Sequence, residues 1–184
     1  MKPSLTQQAH ERLTSYLSPG DTAVDATVGN GHDTLFLARQ VGPEGQVIGL
    51  DIQDAALRVA RSRLEQAGVA AQVKLLQEGH ERLDQVLPEA MKGQVKAVMF
   101  NLGYLPGSDQ RIVTRADTTL YALAAALDVL HPQGCISLLV YRGHQGGEEE
   151  YQAILQWLDD EDCQWQFAQP AGPAHAPVLI HIRP

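Results

Sequence analysis

Cysteine is scarce in this 184-residue chain, which has only Cys135 and Cys163. Two thiols build neither a disulfide framework nor a four-thiolate zinc site, so both read as reduced packing residues. Long apolar runs are missing as well. No stretch approaches the roughly 20 residues a membrane helix needs, and the polar opening "MKPSLTQQAHER" lacks the apolar block of a secretory signal. The expected address is the cytoplasm, with no membrane partner. Basic residues are outnumbered, 14 Lys and Arg against 22 Asp and Glu, giving a formal net charge of -8. Diffuse attraction to a polyanion rests on Lys and Arg neutralising phosphates, so any nucleic-acid contact has to be local. The remaining composition, 44% hydrophobic and 20% charged, is that of a globular chain whose length predicts one domain over 1–184.

Residues Ser4 to Leu17 predict an amphipathic helix, with Leu5, Ala9, Leu13 and Leu17 near the 3.6-residue period and "SPG" as its stop. Then short β-branched runs begin: "TAVDAT", "GQVIGLDI", "AQVKLL", "VKAVMFN" and "CISLLVY". Helical patterns fall between and after them, at His32 to Val41, Asp54 to Gln66, Glu81 to Leu87, Thr114 to Leu130 and Glu148 to Asp159. Alternating strand and helix predicts a parallel sheet covered on both faces, because parallel neighbours need crossover connections. The end differs, since "CQWQFAQ" and "APVLIHI" follow one another without a helix and predict an antiparallel hairpin at the sheet's edge. The expectation is an α/β fold with a seven-stranded, mostly parallel sheet and helices on both faces.

The first strand ends in "DATVGNGHDT", Asp25 to Thr34, and passes straight into a helix. Gly29 and Gly31 allow positive φ and let backbone N–H groups approach a ligand at the helix N-terminus. Asp51 closes the second strand about 20 residues later, where a carboxylate accepts from ribose hydroxyls. Together they predict an adenosine-type cofactor across the carboxyl ends of two strands. A dinucleotide fingerprint wants a third small residue where Thr34 follows Asp33, and Asp25 and Asp33 repel a pyrophosphate. S-adenosylmethionine carries cationic ammonium and sulfonium groups and no phosphate, so acids and amides suit it, with Asp25 and Asn30 as candidates for its methionine end. Turn stabilisation and helix capping compete for Asp33 and Asn30. Glu78 and His80, in "QEGH" after the third strand, fall where a loop passes an adenine edge.

The stretch "VMFNLGYLPG", Val98 to Gly107, carries a hydrophobic strand into an amide and a phenol. Asn101 ends the fourth strand, beside the first, at the switch point where ligands bind in such sheets. Methyltransferases acting on amines place a motif of the type Asn-Pro-Pro-Tyr here, in which the amide and the next carbonyl accept the amine hydrogens and the ring stacks on a base. Asn101 and Tyr104 keep both chemistries, while Leu102 and Gly103 replace the prolines and Pro106 follows. Asp33, His32, His80, His144 and Tyr104 are the candidate proton acceptors, which the sequence does not rank. His32, His80 and His144 come from different loops without ligand spacing, so no metal is expected. Arg111, Arg115 and Arg142 lie on neighbouring loops where they would meet phosphates, against the plainer reading of solvated arginines.

"DATVGNGHDTLFLA", "GLDIQ", "FNLGYLPG" and "YRGHQGGEEE" together resemble the YtqB-type methyltransferase family over nearly the whole chain. The resemblance implies a Rossmann-like class I methyltransferase of a kind that often forms homodimers. It implies methyl transfer from S-adenosylmethionine to the amine of 5-aminomethyl-2-thiouridine in a tRNA anticodon stem-loop. Carried onto this sequence, it assigns the cofactor loop to Asp25, Thr27, Gly29, Asn30, Gly31 and Asp33, the ribose acid to Asp51 with Gln53 beside it, and the substrate motif to Asn101, Gly103, Tyr104 and Pro106. Val28 replaces the alanine more usual there. Methylation of a small-molecule amine or of rRNA, and a non-catalytic nucleotide-binding module, remain the alternative functions.

Overall fold

The computed structural model describes residues 3–105, 107, 111–168, 173 and 175–184. Its seven strands are β1 (Thr22–Asp25), β2 (Gln46–Leu50), β3 (Val73–Leu76), β4 (Val95–Leu102), β5 (Leu130–Val140), β6 (Gln164–Phe167) and β7 (Val178–Arg183). They form one sheet in the order β3-β2-β1-β4-β5-β7-β6. The first five are mutually parallel, and β7 runs antiparallel to both β5 and β6. The terminal pair is antiparallel as its sequence predicts, but its second strand lies inside the sheet and β6 takes the edge.

The helices are α1 (Leu5–Thr14), α2 (His32–Val41), α3 (Asp54–Gln66), α4 (Leu83–Val86), α5 (Ala116–Val129) and α6 (Gly147–Asp160). The spans His32–Val41 and Asp54–Gln66 agree with the sequence pattern, whereas the pattern over Glu81 to Leu87 resolves into a 3₁₀ turn, His80–Arg82, and the single turn of α4. Helix α1 starts at a capping box: Gln7 N–H donates to Ser4 Oγ, and Ser4 N–H donates to Gln7 Oε1. Strand β5 starts five residues before its apolar run, because Leu130 pairs with Val95 and an irregularity separates that pair from Ala97 and Cys135.

Consecutive residues of β4 point to opposite faces, and both faces are covered, so residues 97–100 form an unbroken apolar run. Val98 and Phe100 pack with Leu123 of α5 and Ile154 of α6, while Ala97 and Met99 pack with Leu13 of α1 and Leu37 of α2. Among the described residues no helix is long and apolar enough to cross a membrane.

The chain turns from β1 to β2 on one side and from β3 to β4 on the other, so the carboxyl ends of β1 and β4 diverge into a crevice. Gly31 caps α2 at φ 75°, and a Cβ there would lie 2.7 Å from Ala60 Cβ of α3. Its absence lets α2 start close against α3. Gly31→Ala is therefore expected to cost about 2–4 kcal/mol, an overpacked contact added to a left-handed backbone. Urea denaturation should show a lower midpoint at unchanged slope; a wild-type midpoint would mean the two helices are not held by this contact.

Candidate active site

A cavity of about 1170 Å³ opens in this crevice. Its walls come from four directions: the loop after β1, the segment from Asp51 to Gln53, the turn around His80, and Asn101 with residues 103–105 and 112–115. The first turns of α1, with Thr6 and His10, close it from above, and Tyr141 lies at the end of β5.

The loop after β1 is braced from below. Asp51 accepts from Gly29 N–H through Oδ2 at 2.8 Å and from Gln53 N–H through Oδ1 at 2.8 Å, so one carboxylate sets the glycine loop against the start of α3. Asn30 is fixed through its carbonyl, which accepts from Arg63 Nε at 2.8 Å. Thr27 Oγ1 accepts from the backbone N–H of Asn101 at 2.7 Å, tying the ends of β1 and β4 together. Ile52, more than half exposed, offers apolar surface on the wall next to Asp51.

Asp33 joins three elements. Its Oδ2 accepts from Asn101 Nδ2, and its Oδ1 lies 2.6 Å from His10 Nε2. His10 in turn stacks flat on Phe36, with ring centroids 3.9 Å apart and planes 4° from parallel. Asn101 thus commits its amide nitrogen to Asp33, and Oδ1 is the end left to accept from a ligand. Gly103 passes close to Tyr141, where a Cβ would come within 3.2 Å, and its carbonyl accepts from Thr114 N–H at 2.9 Å. That bond and the bridge between Tyr104 and Val113 close the base of the loop. Tyr104 is 43% exposed and meets His144 edge-on.

Several expected residues stand elsewhere. Asp25 is fully buried behind the wall, accepting from Thr34 Oγ1 at 2.6 Å and from Thr27 N–H at 3.2 Å. Gly31 serves helix packing. Leu102 belongs to the core, and its carbonyl already accepts from Tyr141 N–H. Arg142 lies away from the cavity, in a two-pronged pair with Glu148 at 2.8 and 3.0 Å and over the Tyr151 ring at 4.3 Å. Arg115 is on the rim and pairs with Asp117. Arg111 is exposed and off the wall, and Pro106 lies outside the described residues.

Sequence reasoning missed His10 and Glu150. Glu150, fully buried, accepts from Thr114 Oγ1 at 2.8 Å and Thr119 Oγ1 at 2.6 Å, and burial raises its carboxyl above the ordinary range. Its i+4 and i+8 neighbours Ile154 and Leu158 are core residues, a spacing that places Glu150 on the buried face of α6. His80 is buried at the opposite wall, edge-on to Phe100, and burial lowers its affinity for a proton.

Burial, with Asp33 close by, raises the Asp25 carboxyl from an ordinary 3.8 to about 7. The folded state therefore holds a proton that the unfolded chain has released, and stability falls as pH rises from about 4 to about 7. Asp25→Asn should gain over wild type across that window, by on the order of 4 kcal/mol at most. Urea midpoints from pH 4 to 8 check this; a difference that does not change with pH would count against it.

Residues 47–179 match the model of the family described as "Putative rRNA methylase". The tRNA (mnm(5)s(2)U34)-methyltransferase, chloroplastic, of Arabidopsis thaliana is 43% identical over 157 residues, 81% of this chain and 57% of that protein. A ribosomal RNA small subunit methyltransferase H from Dictyoglomus thermophilum is 34% identical over 56% of this chain and 33% of its own length. The chain thus spans between a third and three-fifths of these two curated relatives. Among solved structures, a "putative rRNA-methylase" from Clostridium thermocellum superposes at TM-score 0.91 with 37% identity, covering 100% of this chain and 98% of that one. A "putative methyltransferase" from Streptococcus mutans in complex with SAH superposes at 0.85 with 31% identity, covering 99% and 98%. With a class I methyltransferase sheet order and a family model matched over more than half its length, this chain belongs to the rRNA methylase family.

Proposed function

We propose that the chain is a methyltransferase that uses S-adenosylmethionine to methylate the amine of 5-aminomethyl-2-thiouridine at the wobble position of tRNA. The observation that carries the substrate class is Asn101, whose amide nitrogen is held by Asp33 while its oxygen remains for an amine on the cavity wall. Support for tRNA comes from the Arabidopsis relative, whose name carries mnm(5)s(2)U34, the methylated nucleoside that this reaction would yield. Ribosomal RNA, named in the family description, is the competing nucleic acid.

The cavity suits the donor. Asp33, Asp51, Glu78 and Glu81 line it, a field that favours a ligand with cationic groups over a pyrophosphate. A dinucleotide loop needs a small residue near Thr34, whereas Thr34 is fully buried and spends its hydroxyl on Asp25. Asp51 has lone pairs left beyond Gly29 and Gln53 for ribose hydroxyls, and Ile52 flanks the adenine position. When bound, S-adenosylmethionine supplies an electrophilic methyl on a sulfur that leaves neutral.

The chain contributes position. Asn101 Oδ1 accepts one amine hydrogen and aims the nitrogen lone pair, and Tyr104 offers an exposed ring on which the base stacks. Arg115, on the rim and 70% exposed, exchanges its Asp117 partner for a phosphate at little cost. Arg142 takes no part in this, since its guanidinium is committed to Glu148.

Asp51→Ala removes both the ribose acceptor and the brace on Gly29, and should weaken S-adenosylmethionine binding by roughly 10- to 150-fold, or about 1.5–3 kcal/mol. Calorimetry would show it, and an unchanged dissociation constant would remove Asp51 from the cofactor site. The substrate is tested by offering the enzyme tRNA carrying 5-aminomethyl-2-thiouridine, ribosomal RNA and a panel of small amines, with nucleosides read by mass spectrometry. Methyl appears in the tRNA nucleoside if the proposal holds; transfer only to another arm rejects it. Asn101→Ala should lower kcat about 100-fold while cofactor affinity stays unchanged, and joint loss of both would make Asn101 a structural residue.

A further inference from the structure

We infer that His10 is the general base that takes the proton from the incoming amine, with Asp33 as its partner; this rests on the amine-methyltransferase reading above. An aliphatic amine resembles a lysine side chain, with a pKa near 10, so it arrives at neutral pH as an ammonium without a lone pair. Methyl transfer requires that one N–H bond break and leave its electron pair on nitrogen. Some group on the cavity wall has to receive that proton.

His10 meets the geometric requirements. It lines the cavity from α1, and about a quarter of its side chain stays accessible. Its Nε2 is 2.6 Å from Asp33 Oδ1, and a carboxylate facing Nε2 places the imidazole proton there and the lone pair on Nδ1. Nδ1 has no protein partner among the described residues. Stacking on Phe36 fixes the ring plane. The other oxygen of the same Asp33 holds Asn101 Nδ2, so one carboxylate positions both the amide that receives the amine and the imidazole that relieves it of a proton. The ammonium proton passes to Nδ1, leaving an imidazolium whose Nε2 still donates to Asp33. The N–C bond then forms as the S–C bond breaks, giving a secondary ammonium and a neutral thioether.

Four other titratable groups are worse placed. His80 is buried with its proton affinity lowered, and its ring nitrogen faces Thr119. Burial and the charge of Asp33 push the Tyr141 phenol up, so it stays protonated. His144 lies behind Tyr104 with Nε2 buried. Asp25 is sealed off by Thr34 and Thr27. Asp33 on α2 is bonded to His10, and His32, Asp51, Glu78, Glu81, Tyr104 and Tyr141 line the same cavity.

The test compares wild type with His10→Gln, which keeps a donor toward Asp33 but has no basic nitrogen. The kcat for tRNA methylation is followed from about pH 6 to about pH 9.5, spanning imidazole and approaching amine ionisation. The expected result is a loss of roughly 10²–10⁴-fold at pH 7 with S-adenosylmethionine and tRNA affinities unchanged, narrowing as pH rises and the amine deprotonates by itself. A wild-type kcat at every pH, or a deficit equal at every pH, overturns the inference. Asp25→Asn separates the two ionisations: an acid limb that survives His10→Gln and moves with Asp25→Asn belongs to Asp25 and also overturns it. Nitrogen NMR of the wild-type imidazole is independent of turnover and of any variant's folding. A proton on Nε2 with Nδ1 free supports the assignment, and a proton on Nδ1 excludes it. If wild type does not methylate the tRNA at all, the substrate reading falls first and this inference falls with it.

Discussion

Asp33 accepts from Asn101 of β4 and from His10 of α1 with a side chain that keeps only 9% of its surface exposed. A carboxylate so enclosed is tolerable because both oxygens meet donors. Through those two contacts the first turn of α2 becomes a fixed point to which the strand end and the covering helix are both referred. Thr27 adds a third tie, bonding the backbone of Asn101 to the loop after β1. The orientation of the Asn101 amide is thus set before any ligand enters, which is the preorganisation that positional catalysis depends on.

Behind this arrangement stands a second acid that opposes the first. Asp25 is fully buried, and the charge of Asp33 adds to burial in raising its carboxyl to about 7. Its bonds to Thr34 and Thr27 offset part of that penalty. Asp25 thus holds its proton more readily than an ordinary carboxyl, so the region behind the wall carries less negative charge than a count of its acids suggests. The same economy appears at Glu150, a buried acid held by two threonines that fasten the Gly103–Thr114 loop base to α5 and α6.

The sequence revealed the sheet order's logic and both ends of the crevice, because those depend on local signals: β-branched runs, glycines at a strand-to-helix turn, an acid closing the next strand. It placed Asn101 and Tyr104 at a strand end for the same reason. It expected Asp25, Gly31, Leu102 and Arg142 at the ligand, whereas none of them lines the cavity, since whether a residue faces a cavity or the packing behind it is decided by partners the folded chain supplies, near or far in sequence. Arg142 pairs with a glutamate six residues on, and Gly31 is confined by Ala60. His10 was invisible for the converse reason. Nothing near it in sequence says that α1 docks across the mouth of the crevice, 23 residues ahead of the aspartate it meets.

Strand β7 lies between β5 and β6, paired with Ile136–Val140 on one side and Gln164–Phe167 on the other. During synthesis the hydrogen-bonding groups along that flank of β5 have no neighbour until residues 178–183 leave the ribosome, and β6 has nothing to lean on. The nascent chain must therefore keep an open sheet margin from the emergence of β5 until that of β7, which makes completion of the sheet a late event and that margin the place where a stalled chain is exposed to aggregation.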